Sequence, residues 1–392
     1  MDLVRPRYGG GSLADVLPSA LAALGVPAPD PLRLAGGALA GVRRVAVLLV
    51  DGLGAHQVGL ATPLAPTLAE IAAGRFGPAL ELTAGFPSTT PTSLVSIGTG
   101  AAPGAHGILG FTVNVPGSDR VLVHTMWGED PPPAAWQPVR TWFEKAAEAG
   151  VSVSVCSRPE YEGSGLTVAA YRGAAYRPAS EVDSLAEQML EALAGEPPVL
   201  VYGYHPDLDH DGHLFGVASP EWQAAAVGID RLLTRLVAGL PADTALLVTA
   251  DHGQVDVPPE RRVDVDSDPA LRAGIRVVAG EPRVRYLHTV AGARDDVVAA
   301  WRSILGDAAW VVTREEAVAA GWFGPVPEAH LLRVGDVVVA CHDRNAVVAT
   351  RTEPPTAARL IAYHGSYTAE EMLIPLLVIR GDEVRGSVGG GR

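Results

Sequence analysis

Four short runs of mostly branched apolar residues constrain this chain most: VAVLLV (45–50), VSVSVC (151–156), VLVYGY (199–204) and ALLVTA (245–250). Each has the length of a strand and enough apolar bulk to be buried on both faces. Between them stand amphipathic helical patterns, VRTWFEKAAEAG, SEVDSLAEQMLEALAG and PEWQAAAVGIDRLLTRLVAGL. Strand–helix alternation of this kind implies an α/β chain with a largely parallel sheet and helices on both faces.

The pattern changes between about residues 258 and 349. Shorter strand candidates (IRVVAG, RVRYLH, DVVVAC) surround two helical stretches, and the polar, turn-rich PPERRVDVDSDP precedes them as a domain crossing would. LIPLLVI (373–379) then returns to the buried-strand style. The expected organisation is a catalytic core from residues 1–257 and 350–392 with a small α+β insertion, a cap or lid, at 258–349. The closing RGDEVRGSVGGGR is expected to fray.

Composition excludes several functions. With 44 acidic against 30 basic residues and a formal net charge of -14, the chain lacks the basic stripe of a nucleic-acid binder. A phosphate-bearing substrate is still allowed, because metal ions can dominate the local field of a site. Lys145 is the single lysine, a bias of the kind GC-rich coding produces. Cys156 and Cys341 make no disulfide framework and read as two inert thiols. The glycine run at 9–11 and Asp15 interrupt the apolar N-terminal stretch, so no secretory leader is expected. No run has the length of a membrane span, and a cytoplasmic location is the expectation.

Chemistry-bearing residues cluster after the buried runs. Asp51 follows the first, with Gly52 and Gly54 permitting a tight turn; ligands of open α/β sheets bind at such carboxyl ends. Asp251 and His252 follow another, and adjacent carboxylate and imidazole suit one zinc or manganese ion. YHPDLDHDGHLFG packs Asp209, His210, Asp211 and His213 into five positions, with Asp207 nearby. His364, before Gly365, reads locally as a turn residue. In GFPSTTPTSLVSIGTG, Pro91 suits the first helical position and makes Thr90 an N-cap, its hydroxyl at the positive end of a helix. Local sequence alone favours a plain cap there.

Taken together and in order, these segments resemble the alkaline phosphatase superfamily, and within it the type I phosphodiesterase/nucleotide pyrophosphatase family in its bacterial form. FPSTTPTSLVSIGTGAAPGAHGI is the most specific stretch. The resemblance implies a three-layer alkaline phosphatase-like sandwich. Aligned through Pro103 and His106-Gly107, it selects Thr90 as nucleophile over Thr89 and Ser88. It implies one metal site from Asp51, Asp251, His252 and the Thr90 oxygen, and another from Asp209, His213 and His364. His210 and Asp211 are then peripheral, and His106 structural.

The implied reaction is attack by Thr90 on phosphorus, a phosphothreonine intermediate and its hydrolysis, supported by two divalent ions, zinc first with manganese or iron as alternatives. The implied substrate is a small phosphoester, a nucleotide among the candidates, with neither a nucleic-acid polymer nor a membrane as partner. A phosphomonoesterase, a phosphonate hydrolase, a phosphosugar mutase and a non-catalytic metal-binding protein are the alternatives. Two departures bear on diester selectivity. Ser93, Leu94 and Val95 stand where eukaryotic-type members have Asn-His-Tyr, and Leu109, Gly110 and Phe111 where they hold a phosphoryl oxygen with Asn. Thr89-Thr90-Pro91-Thr92-Ser93 lacks the Cys-x-Pro-x-Arg pattern, which argues against a sulfatase.

Overall fold

The computed structural model describes residues 3–354 and 357–389. In chain order the strands of its two larger sheets begin with β1 (Arg44–Val50), β2 (Ala79–Thr83), β3 (Ser152–Ser157), β4 (Ala175–Pro178), β5 (Val199–His205) and β6 (Thr244–Thr249). They continue with β7 (Ile275–Glu281), β8 (Val284–Thr289), β9 (Ala309–Thr313), β10 (Val337–Cys341) and β11 (Leu373–Arg380).

The central sheet has the order β2-β11-β6-β1-β5-β3-β4. β6, β1, β5, β3 and β4 run parallel, while β11 lies antiparallel between β6 and β2. β1, β5 and β6 are buried almost throughout, as strands covered on both faces must be. Helix Val182–Leu193 buries Val182, Leu185, Ala186, Met189 and Leu193, an i, i+3, i+4, i+7 stripe, and packs over β5 and β3. The edge strands β2 and β4 were not foreseen. Three residues of ALELT are exposed, and AYRP has no fully buried residue, so neither carries an apolar run.

The second sheet, β7-β8-β10-β9, is antiparallel throughout. Its period-2 alternation divides it between two cores. Val284, Tyr286, Val338 and Ala340 join the cluster that fills the central sheet. Leu287, Val337, Val339 and Cys341 face the other way, with Trp301 of helix Arg294–Leu305. β9 was also missed by sequence reading, being short and only partly buried. Segments Arg262–Asp264 and Ala346–Val348 pair in parallel, so the chain enters and leaves this region side by side.

A buried ion pair locks the second sheet to the core. Arg283, beside the β7–β8 turn, donates from Nε to Glu371 Oε1 at 2.9 Å and from its terminal nitrogen to Oε2 at 2.7 Å, both side chains fully buried. Glu371 also accepts from the Ser366 amide at 3.0 Å and the Thr368 hydroxyl at 2.6 Å, fixing the loop after His364. Glu371→Ala leaves a buried guanidinium uncompensated and should cost about 3–5 kcal/mol. Denaturant titration measures this as a lower midpoint.

One expectation needs correction. Residues 381–389 of the expected frayed tail are helical, with Val384 buried. Within YHPDLDHDGHLFG, whose conformation the sequence left open, Asp207–Phe215 is a helix. Cys156 and Cys341 are both buried and free. No helix among the described residues is long and apolar enough to cross a membrane.

Candidate metal centre

Parallel register brings the candidate groups to one edge. β1 pairs Val50 with His205 of β5 and Leu49 with Thr249 of β6, so all three strands end level. Asp51 leaves the first end. Asp251 and His252 leave the third. The helix that starts at Asp207 carries Asp209 and His213, four residues apart and therefore on one face. His364 follows a two-residue strand, Ala362–Tyr363, paired with Val255–Asp256 just beyond His252. Two glycines permit the approach. Gly52 has φ +73°, and a Cβ there would meet Asp209 at 3.0 Å; one on Gly212 would lie 1.9 Å from Gln254 Oε1.

Two triads result, Asp51–Asp251–His252 and Asp209–His213–His364, each with one ligand atom per residue within 4.8 Å of the others. They are contiguous, since the rings of His252 and His364 stack at 3.7 Å between centroids. All three imidazoles are oriented alike. His213 Nδ1 faces the Ala362 carbonyl at 2.8 Å, His364 Nδ1 that of Ser88 at 3.0 Å and His252 Nδ1 that of Gly253 at 3.2 Å. These carbonyls assign the proton to Nδ1 and leave Nε2 as the free donor atom of each ring.

The donor set fits divalent cations on several counts. His213 and His364 bring their Nε2 atoms to 3.2 Å, where two lone pairs repel unless a cation relieves them. A proton can do so: burial lowers the His213 pKa, but Asp209, 3.2 Å away, outweighs it and the net shift is upward. A divalent ion shared with Asp209 would do the same with more charge. Burial, then the charges of Asp251 and Asp209, pushes the Asp51 carboxyl well above its usual range. Asp251 is raised too, mainly by burial. Among the described residues, buried Asp51 Oδ1 and Asp251 Oδ2 accept no hydrogen bond. Orphaned, mutually repelling carboxylate oxygens are what a cation would satisfy.

Thr90 stands beside the first triad, its Oγ1 at 3.4 Å from Asp51 Oδ2 and 3.2 Å from His252 Nε2. The expected N-cap is displaced by one residue. Thr89 is the cap position, Thr90 the first residue of helix Thr90–Thr99, and Pro91 follows in its first turn. The Thr90 hydroxyl is therefore not spent on capping. Ser93 donates to the Asp251 carbonyl at 2.9 Å, bracing the loop that holds this triad. His210 is exposed against Asp211, and buried His106 bonds to Ser96 Oγ at 2.9 Å. Asn114 is buried in the short strand Thr112–Asn114.

Sequence reading missed three supports. Tyr204 donates its hydroxyl to Asp51 Oδ2, and burial with the charge of Asp51 holds its pKa well above the usual value, keeping that proton in place. Gln254 donates to the Asp209 carbonyl at 2.9 Å and to its carboxylate. Glu281, pushed by burial up to about 8, accepts from the Phe111 amide at 3.3 Å beside the second triad. The only signals were an aromatic hydroxyl at a strand's carboxyl end and a polar residue after Asp-His-Gly. Tyr204→Phe should weaken metal binding about tenfold with little change in fold, since groups that orient ligands are worth 10–100-fold. Competition with a chromogenic chelator measures it.

A cleft of 490 Å³ opens at the second triad, lined by His213, His364, Glu281, Arg285 and apolar side chains including Phe111. Trp127 and Tyr171 are packed in the core.

The chain matches the type I phosphodiesterase / nucleotide pyrophosphatase family over residues 45–367. Comparison with curated proteins finds no match. Among solved structures, murine ectonucleotide pyrophosphatase/phosphodiesterase 5 superposes with a TM-score of 0.68 at 18% identity, covering 86% of this chain and 89% of that one. The same murine protein in an inactive form with AMP gives 0.69 at 18% identity, over 87% and 90%. Phosphonoacetate hydrolase from Sinorhizobium meliloti, in complex with phosphonoacetate, gives 0.65 at 19% identity, over 87% and 91%. At such identities the likeness carries the fold.

Proposed function

The chain belongs to the type I phosphodiesterase/nucleotide pyrophosphatase family of the alkaline phosphatase superfamily, hydrolases of phosphoric esters, and from that premise we propose a metal-dependent phosphodiesterase with Thr90 as its nucleophile. One observation carries the reading. The Thr90 hydroxyl, free of any capping role, lies within 3.4 Å of two of three groups that form one triad, with a second triad adjoining.

Asp51, Asp251 and His252 would hold one divalent ion and Asp209, His213 and His364 another. Bound there, the ions supply Lewis-acid polarisation of phosphoryl oxygens and neutralise charge developing on attacking and leaving atoms. The chain's own residues do the rest. Asp51 Oδ2, 3.4 Å from Thr90 Oγ1, is the acceptor beside the Thr90 proton, and Tyr204 holds Asp51 in place. The positive end of helix Thr90–Thr99 faces the incoming phosphoryl group. The carbonyls of Ser88, Ala362 and Gly253 fix the three imidazoles in one tautomer. Attack by Thr90 gives a phosphothreonine, which water then hydrolyses.

The cleft offers a substituent on phosphorus space beside the second triad, and the family match is what favours a diester over a monoester. Matched p-nitrophenyl diester, monoester and phosphonate substrates, assayed on one preparation with zinc and with manganese, test this. The diester should show the highest kcat/KM; a monoester or phosphonate preference would overturn the diesterase assignment.

A further inference from the structure

The charge balance of the cleft selects what can leave. Thr90, Asp51 and His252 are absent from its walls, which instead include His213 and His364 of the adjoining triad. In an in-line displacement the leaving oxygen departs opposite the attacking one. With Thr90 beside the first triad, that direction is towards the second triad and the cleft behind it.

Most of the wall is apolar: Phe111, Val121, Val123, Leu360 and Tyr363, with Met126, 82% exposed, at the rim. The single guanidinium among the described lining residues belongs to Arg285, and it is fully engaged. Its terminal nitrogens both donate to Glu353, and its Nε donates to the Val347 carbonyl at 2.7 Å. Glu353 belongs to the same wall, so the pair cancels itself. A second phosphate or a carboxylate entering here would lose its hydration and, beyond the second triad itself, meet no unpaired side-chain cation among the described lining residues.

We propose that this cleft is the leaving-group site and that it takes a neutral, apolar alcohol or phenol, excluding anionic leaving groups such as pyrophosphate or a nucleotide. The inference rests on the diesterase reading above. In the step concerned, the bond from phosphorus to Thr90 Oγ1 forms and the bond from phosphorus to the leaving oxygen breaks. The proton lost by Thr90 is balanced by one gained on that oxygen, directly or through solvent, so a neutral ROH departs. Water then cleaves the phosphothreonine, restoring the Thr90 hydroxyl and releasing the monoester.

Two methyl phosphodiesters test this, one of 4-nitrophenol and one of 3-carboxy-4-nitrophenol, each rate normalised to that ester's alkaline hydrolysis. The zinc- or manganese-loaded enzyme should favour the neutral leaving group by about tenfold or more in kcat/KM, since the carboxylate must be desolvated without a partner. Val121→Arg, at a half-exposed wall position, should narrow or reverse that ratio, and so should Glu353→Gln, which releases Arg285. A wild-type ratio near one, or favouring the carboxylate, with turnover still dependent on Thr90, would overturn this inference alone. Turnover that persists in Thr90→Ala would overturn the diesterase reading and this inference with it.

Discussion

Thr90→Ala should lower kcat by about 10³-fold or more while leaving the thermal midpoint nearly unchanged, because loss of a nucleophile is among the most costly single changes in an enzyme. The two halves of that result have separate causes. The helix cap lies at Thr89, so truncating Thr90 removes no capping bond. Among the described residues its hydroxyl contacts Asp51 and His252, and the side chain is half-buried rather than packed in the core. Thr90→Ser restores the hydroxyl and should recover activity to within about tenfold of the parent. Steady-state rates with circular-dichroism melting decide it. A large loss of activity accompanied by a large loss of stability would assign Thr90 a structural role instead.

The second large effect is a reversal of sign at Asp251. Its Oδ1 accepts from the Gly52 and His252 amides at 3.1 and 3.0 Å, while Oδ2 lies buried 3.2 Å from His252 Nε2 without a hydrogen bond. Asn in its place keeps the Oδ1 contacts and can turn its amide N–H towards that lone pair. In chelator, Asp251→Asn should therefore stabilise the fold by about 1 kcal/mol, the ordinary worth of a new hydrogen bond. With zinc or manganese the same change removes a charged ligand, and activity should fall by about 100-fold or more.

The pH dependence follows from the same carboxyl. Burial raises the folded-state pKa of Asp251 above its unfolded value, so the native state holds the proton more tightly. That contribution to stability is fully present below the unfolded pKa and is lost as pH rises through the folded one. The gain from Asn in chelator should accordingly vanish at acid pH and grow towards neutrality. Differential scanning calorimetry with and without metal, across pH, measures both signs; a variant destabilised in chelator at neutral pH would contradict this account of the site.

Much of the central sheet was legible because branched runs such as 45–50 and 199–204 are buried on both faces and carry their pattern without tertiary context. β2 and β4 were not, since an edge strand needs little apolar bulk and ALELT and AYRP show almost none. The site was legible in its density of acids and histidines after those runs. The helical nature of 207–215 was hidden by Gly212 and five acids or histidines that lower helix propensity, yet tertiary contacts hold it helical. Tyr204 was read only as part of a buried run. Its role depends on the distance to Asp51, 153 positions away, which no local pattern encodes. Arg285 and Glu353 are likewise 68 residues apart, so the neutrality of the cleft becomes visible only in three dimensions.

The central claim, that Thr90 takes the phosphoryl group before water does, has a direct stereochemical test. A diester made chiral at phosphorus by sulfur and oxygen isotopes is hydrolysed in labelled water, and the configuration of the product is determined. Two in-line displacements, first by Thr90 and then by water, give net retention, which is the expected result. Net inversion would show a single direct attack by water and would contradict the claim.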